Sequence, residues 1–333
     1  MMRTLLLRFV WLVLLFMAPG LGLCATCPAP VRGINLVPLP TGWYNGAVEL
    51  RFPTEGHLIY YKGVGMNTIR LPIVWETIQP SLYGGLNTRY LAHALEFLDK
   101  AQLQDMKVVI DLHNYGRYQN KLIGSQDVPA RAFKDVWQRL AGAFSRHSAV
   151  YGYGLMNEPH DTGGLWHTVA QSGVDGVRSV DTNRPIYVGG DSWSNSQRWP
   201  VVNPTPFVTD PYNRIVYEAH LYFDDDFSGR YQKPVGSTDM AARAAQRLQP
   251  FISWLVKHNQ KGAIGEVGVP MGDTRWLLAL QTFLDMSETA CLEWFMWAGG
   301  GWRETYELSL EPINGKDRPQ VGLLRTWLYN HGR

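Results

Sequence analysis

The chain has 333 residues, and its 31 Lys and Arg against 29 Asp and Glu leave a formal charge of +2. That balance excludes the concentrated positive charge that nucleic acid or an anionic membrane surface would demand. With 45% hydrophobic and 18% charged residues the composition is globular, and the chain can bury a large core without metal or disulfide staples.

Arg3 and Arg8 precede an apolar run from Phe9 to Ala18, followed by Pro19, Gly20 and Gly22. The run is far shorter than the ~20 residues of a membrane-crossing helix. Its basic start and short apolar centre fit a secretory signal. Residues 1–25 are therefore expected to be a signal peptide cut near Ala25, with 26–333 as one secreted or periplasmic domain, free of the membrane. A lipoprotein site at Cys24 and an uncleaved anchor are the alternatives; Leu23 stands where the former wants a small residue.

Eight runs rich in β-branched and aromatic residues follow: Val31 to Leu36, Met66 to Leu71, Lys107 to Leu112, Val150 to Met156, Arg184 to Val188, Arg214 to Leu221, Gly262 to Glu266 and Cys291 to Trp297. Most are continuous apolar stretches, as in VVIDLH and IVYEAHLYF, the pattern of parallel strands covered on both faces. Helical segments lie between them. Phe133, Val136, Leu140 and Phe144 form one apolar stripe, and Leu91, Leu95 and Leu98 another, with Asn87 or Thr88 as N-cap. Ala241 to Val256 and Trp276 to Met286 fit two more. This βα repetition predicts an α/β fold, a (β/α)8 TIM barrel, with a doubly wound open sheet as the alternative.

In such a barrel the first and last strands are parallel neighbours. Cys27, just before the first, and Cys291, opening the last, would then meet at the N-terminal rim as a disulfide; two separate thiols is the other reading.

Catalytic groups of these barrels gather where strands end. Those ends read Arg70, His113, Asn157, Glu158, His220, Tyr222, Glu266 and Trp297. Glu158 and Glu266 would face each other across the barrel mouth. Two carboxylates flanking a bond are what glycosidic cleavage requires, one protonating the leaving oxygen while the other attacks or activates water. A pair of rim salt bridges is the bland alternative.

The segments RGINLV, NTIRLPIVWE, DLHNYGRY, MNEPH, VYEAHLYFDDD, IGEVG and WFMWAGGGW resemble, in order and spacing, the strand-end motifs of glycoside hydrolase family 5, cellulase family A. The resemblance runs along nearly all of residues 31–325 and is nearest the endoglucanase branch with HNY, MNEPHD and a late SLEP segment, here Ser309 to Pro312. It implies a retaining endo-β-1,4-glucanase with Glu158 as acid/base and Glu266 as nucleophile. Asn157 would bond the sugar 2-hydroxyl, Arg70 and Tyr222 the Glu266 carboxylate. His113 and His220 would complete the polar shell, and Trp297 would floor the sugar being cleaved. Other readings are a β-mannanase or mixed-linkage glucanase on the same scaffold, or a carbohydrate-binding relic without activity. The expected partner is a β-glucan polysaccharide, bound by a monomer that needs no cofactor.

Arg70 is expected to lower the Glu266 pKa, and the charge of Glu266 to favour a protonated Glu158. Retention implies carboxyl groups about 5–5.5 Å apart. Among the aromatics at strand ends, Trp193 is the preferred extra sugar contact, then Trp302; Trp75 and Tyr115 read equally well as sugar platforms or packing. Asp224, Asp225 and Asp226 lack a cation-loop pattern and read as a solvated loop. A metal-dependent hydrolase using Asp111, His113 and His220 would leave both glutamates unexplained, so no metal is expected. No GxGxxG, GxxxxGK[ST] or GxSxG motif is present.

Overall fold

The computed structural model describes Cys27 and residues 31–44, 47–236 and 238–331. The expected signal peptide, residues 1–25, lies outside the described residues. No described helix is long and apolar enough to cross a membrane.

Eight parallel strands close into a barrel: β1 (Arg32–Leu36), β2 (Thr68–Ile73), β3 (Lys107–Leu112), β4 (Val150–Gly154), β5 (Ile186–Gly189), β6 (Ile215–Tyr222), β7 (Lys261–Gly268) and β8 (Glu293–Gly299). Each pairs with its sequence neighbours, and β1 closes the ring on β8 through Arg32 opposite Trp294 and Gly33 opposite Phe295. The expected barrel is thus observed, and the open sheet is excluded. Boundaries differ by a residue or two; β2 and β8 begin and end two residues later than the apolar runs suggest.

The outer layer comprises α1 (Glu55–Val64), α2 (Thr88–Leu103), α3 (Ala130–Phe144), α4 (Leu165–Arg178), α5 (Met240–His258), α6 (Arg275–Thr289) and α7 (Pro319–His331). After β5 a single turn, Trp199–Val202, replaces a full helix. Asn87 caps α2 by accepting from the amides of Arg89 and Tyr90. Phe133, Val136, Leu140 and Phe144 are all buried as the spacing requires. On α2 the buried face is rotated from the expected one: Tyr90, Ala94, Phe97, Leu98 and Ala101 face inward, while Leu91 and Leu95 lie at its edge. Two short antiparallel ribbons, Leu39–Tyr44 with Ala47–Arg51 and Arg117–Tyr118 with Lys121–Leu122, sit in the loops after β1 and β3.

Alternation inside the barrel sets up the site. Side chains two apart along a strand share a face, so Val109 and Asp111 on β3, and Val216, Glu218, His220 and Tyr222 on β6, point the same way. At the lower end, Val31, Val109, Tyr187, Val216, Ala263 and Phe295 pack as a separate apolar cluster. Above it the inward positions turn polar. Cys27 and Cys291 form the expected disulfide, with Cα atoms 5.5 Å apart, next to the starts of β1 and β8.

Candidate active site

Arg70 organises the polar layer. It projects from β2 into the barrel with its side chain fully buried. Nη2 lies 3.0 Å from both Asp111 Oδ1 and Glu218 Oε1, and Nη1 3.3 Å from Glu266 Oε1. It also donates to Asn35 Oδ1 at 3.0 Å and to Asn157 Oδ1 at 2.9 Å. A guanidinium suits this position because its planar fork serves several acceptors at once.

Glu158 and Asn157 lie just past β4. Asn157 is anchored through its amide to the Leu112 carbonyl at 2.8 Å. Glu158 takes a left-handed backbone, φ 42°, before Pro159, a strained geometry for a residue with a β-carbon. Its Oε1 is 2.8 Å from His220 Nδ1, which is also 3.6 Å from Glu266 Oε2. One carboxylate oxygen each from Glu158 and Glu266 and a ring nitrogen of His220 all lie within 4.8 Å of one another. The two acids therefore meet at the barrel mouth with one oxygen of each in close approach, as the narrow spacing of a retaining pair requires.

Tyr222 donates to Glu266 Oε2 at 2.7 Å. Burial, reinforced by the neighbouring Glu266 charge, pushes the phenol well above its usual range, so it stays a donor. Burial also raises the Glu266 carboxyl; repulsion from Glu158 adds to this, and His220 and Arg70 offset only part of it. The net direction corrects the expectation that Arg70 would leave Glu266 low. The reason is burial: Arg70 does pull Glu266 down, but it shares its charge with Asp111 and Glu218 and cannot offset the loss of water.

Burial would depress His220, but the charge of Glu266 and the carboxylates of Glu158 and Glu218 outweigh it and push the imidazole up to about 10. Glu218 is held below the usual carboxylate range, because Arg70 and His220 outweigh its burial.

His113 bonds Asp111 Oδ2 through Nδ1 at 2.8 Å and stacks on Trp297, ring centroids 6.0 Å apart. Trp297 in turn donates from Nε1 to Tyr306 at 2.8 Å. A cavity of about 530 Å³ opens over Glu158, Glu266, Tyr222, His113 and Trp297 and extends to Tyr306. Trp193 is 44% exposed and stacks on His160 at 4.4 Å, away from this immediate cluster. Trp302 lies 6.1 Å from Trp297. Tyr115 is exposed and meets His113 edge-on. Trp75 is completely buried against Tyr118 and Phe133, so it packs and offers no platform.

The three aspartates are consumed by partners in their own loop and on α5. Asp224 accepts from Ser228, Gly229 and Tyr231, Asp225 pairs with Arg243 and Asp226 with Arg230. Asp111 and His113 likewise serve Arg70 and each other.

Three contributors escaped the sequence reading: Asn35, Glu218 and Tyr306. Glu218 had a legible signal. In IVYEAHLYF the inward positions read Val216, Glu218, His220, Tyr222, an alternation hidden inside an apolar run. Tyr306 sits in a loop with no periodic signal.

The family description "Cellulase (glycosyl hydrolase family 5)" matches residues 26–301. A probable endo-β-1,4-glucanase B of Neosartorya fischeri is 32% identical over 83% of this chain and 82% of its own length. The crystal structure of Pseudomonas stutzeri endoglucanase Cel5A in complex with cellobiose superposes with a TM-score of 0.86 at 41% identity, covering 91% of this chain and 95% of that one. An endo-β-1,4-glucanase of Xanthomonas axonopodis pv. citri gives 0.81 at 32% identity, with 90% and 99% covered.

Proposed function

The chain belongs to glycosyl hydrolase family 5, and from that premise we propose that it is a retaining endo-β-1,4-glucanase acting on β-glucan chains by double displacement. The observation that carries this reading is the approach of Glu158 and Glu266 oxygens to within 4.8 Å at the open end of the barrel.

In the first step Glu266 attacks the anomeric carbon while Glu158 gives its proton to the departing glycosidic oxygen. A glycosyl ester forms on Glu266, whose negative charge is thereby lost. Glu158, now ionised, takes a proton from water, and that oxygen displaces Glu266 from the anomeric carbon. Arg70 and Tyr222 hold the two Glu266 oxygens, aiming one at the sugar and stabilising the carboxylate as it leaves. Asn157, which accepts from Arg70, would bond the sugar 2-hydroxyl, and Trp297 would floor the sugar ring. Trp193 would carry a more distant sugar. The cellobiose complex of the Pseudomonas stutzeri enzyme supports a glucan substrate. We read 26–333 as the mature domain, a monomer exported to the periplasm or beyond.

Glu266→Gln tests the assignment on soluble cellulose derivatives. Activity should fall by about a thousandfold or more, and the wild type should release the β-anomer first by NMR. Unchanged activity, or α-anomer first, would overturn the mechanism. Parallel assays on mannan and mixed-linkage glucan test the linkage.

A further inference from the structure

We propose that Glu218 is a positioning residue for this reaction, acting through His220 to fix a positively charged ring between the two catalytic carboxylates. The inference rests on the roles given above to Glu158 and Glu266.

The geometry leaves His220 little choice. Its Nδ1 lies 2.8 Å from Glu158 Oε1 and 3.6 Å from Glu266 Oε2, while Nε2 lies 3.4 Å from Glu218 Oε1. A neutral imidazole has one donor and one acceptor nitrogen. Placed here, its acceptor nitrogen would point a lone pair at a carboxylate. Facing two ionised carboxylates, as it does once Glu158 has given up its proton, only the imidazolium, with a proton on each nitrogen, satisfies both sides. The carboxylates facing the ring are Glu158 after β4, Glu266 on β7 and Glu218 on β6 itself. Arg70 from β2 stands behind Glu218, and Asp111 from β3 behind Arg70. The upward displacement of His220 to about 10 and the downward one of Glu218 agree with that arrangement.

Glu218 shares one oxygen, Oε1, between Arg70 at 3.0 Å and His220 at 3.4 Å. It is 2% exposed, too deep to touch a sugar lying over Trp297. Room for it is made by Gly265, the neighbour of Glu266, where a β-carbon would collide with the Glu218 carboxyl. The consequence for catalysis is a division of protons. A ring held charged beside Glu266 offsets part of the effect of burial on that carboxyl and so favours the ionised nucleophile. Without Glu218 the Nε2 proton has no buried counter-charge, and a neutral His220 would compete with Glu158 for the proton meant for the leaving group.

The decisive measurement is a histidine-detected NMR titration of the full chain, with the His220 signal assigned by its absence from His220→Asn. In the wild type both ring nitrogens should remain protonated to roughly pH 8 or above, against an ordinary value of about 6.5. In Glu218→Gln the same ring should titrate at least about one pH unit lower. With a soluble cellulose derivative, Glu218→Gln should move the alkaline limb of kcat down by at least about half a unit with KM within about twofold, and Glu218→Asp should restore part of the shift. Should Glu218→Gln fail to fold, the wild-type titration and Glu218→Asp still decide. A His220 neutral at pH 7 in the wild type, or an unmoved titration and limb in the variant, would overturn the inference. The NMR readout needs no substrate, so failure of the glucanase reading would appear separately, as a wild type without glucan hydrolysis.

Discussion

Tyr222 gives its phenolic hydrogen to Glu266 Oε2 across 2.7 Å, from the strand adjacent to the one that carries the carboxylate. The bond serves the ionised acid, whose pKa burial has already pushed upward. Tyr222→Phe removes a donor to a charged group, so kcat should fall about 10- to 100-fold with KM little changed. Losing a partner of the charged form raises a carboxyl pKa further, so the acid limb of the pH–rate profile should move to higher pH. A limb that stayed in place would mean the phenol does not help hold the nucleophile ionised.

Arg70 bonds carboxylates from three other strands and amides from β1 and the β4 loop. Arg70→Met would strand those charges in the barrel and should cost about 3–5 kcal/mol in urea unfolding. Arg70→Lys should recover part of the stability but little of kcat, because an ammonium cannot span the same acceptors. Equal recovery of both would show that charge alone matters there.

The barrel was legible because buried parallel strands must be apolar throughout, and Lys107 to Leu112 coincides with β3. The pair Glu158 and Glu266 was legible because a charged residue ending an apolar run is costly unless used. Glu218 was not, since a run read as uniformly apolar conceals which of its faces points into the barrel. The direction of the Glu266 shift was beyond the sequence because it turns on burial, and on Arg70 being shared with Asp111 and Glu218, neither of which shows without coordinates. Trp75 followed a strand just as Trp193 did, and only burial separates the two.

Trp193 presents an exposed indole whose rear face rests on His160, with rings nearly parallel at 7°. A supported ring of this kind loses little freedom when a sugar stacks on it. Trp193→Ala should raise KM for long cello-oligosaccharides about 3- to 10-fold while sparing the shortest substrates. His160→Ala should produce a smaller rise of the same kind. Equal effects on short and long substrates would remove Trp193 from the binding surface.

His220 ties stability to pH. Its folded value of about 10 lies above the unfolded value of about 6.5. Protons are therefore held more tightly by the folded chain. The contribution is complete below the unfolded value, and it is lost as pH rises through the folded one. Urea midpoints should decline between about pH 7 and 10, and the decline should be shallower in His220→Asn. A midpoint rising over that interval would contradict the charged ring.

The bridge between Cys27 and Cys291 spans 264 residues and joins the segments that open β1 and β8. Both strands carry site residues only at their far ends, where Asn35 and Trp297 stand, so the bridge constrains the chain without touching the chemistry. Cross-linking such distant points removes conformational freedom chiefly from the unfolded state. Cys27→Ser with Cys291→Ser should therefore lower stability by about 2–5 kcal/mol. Reductant should lower the wild-type melting temperature and leave that of the double variant unchanged. At temperatures where both remain folded, kcat/KM should be the same within about twofold, because rim and mouth are separated by the apolar cluster around Phe295 and Tyr187. A fall in kcat/KM without a fall in stability would show instead that the bridge sets the register of β8, and with it the seat of Trp297.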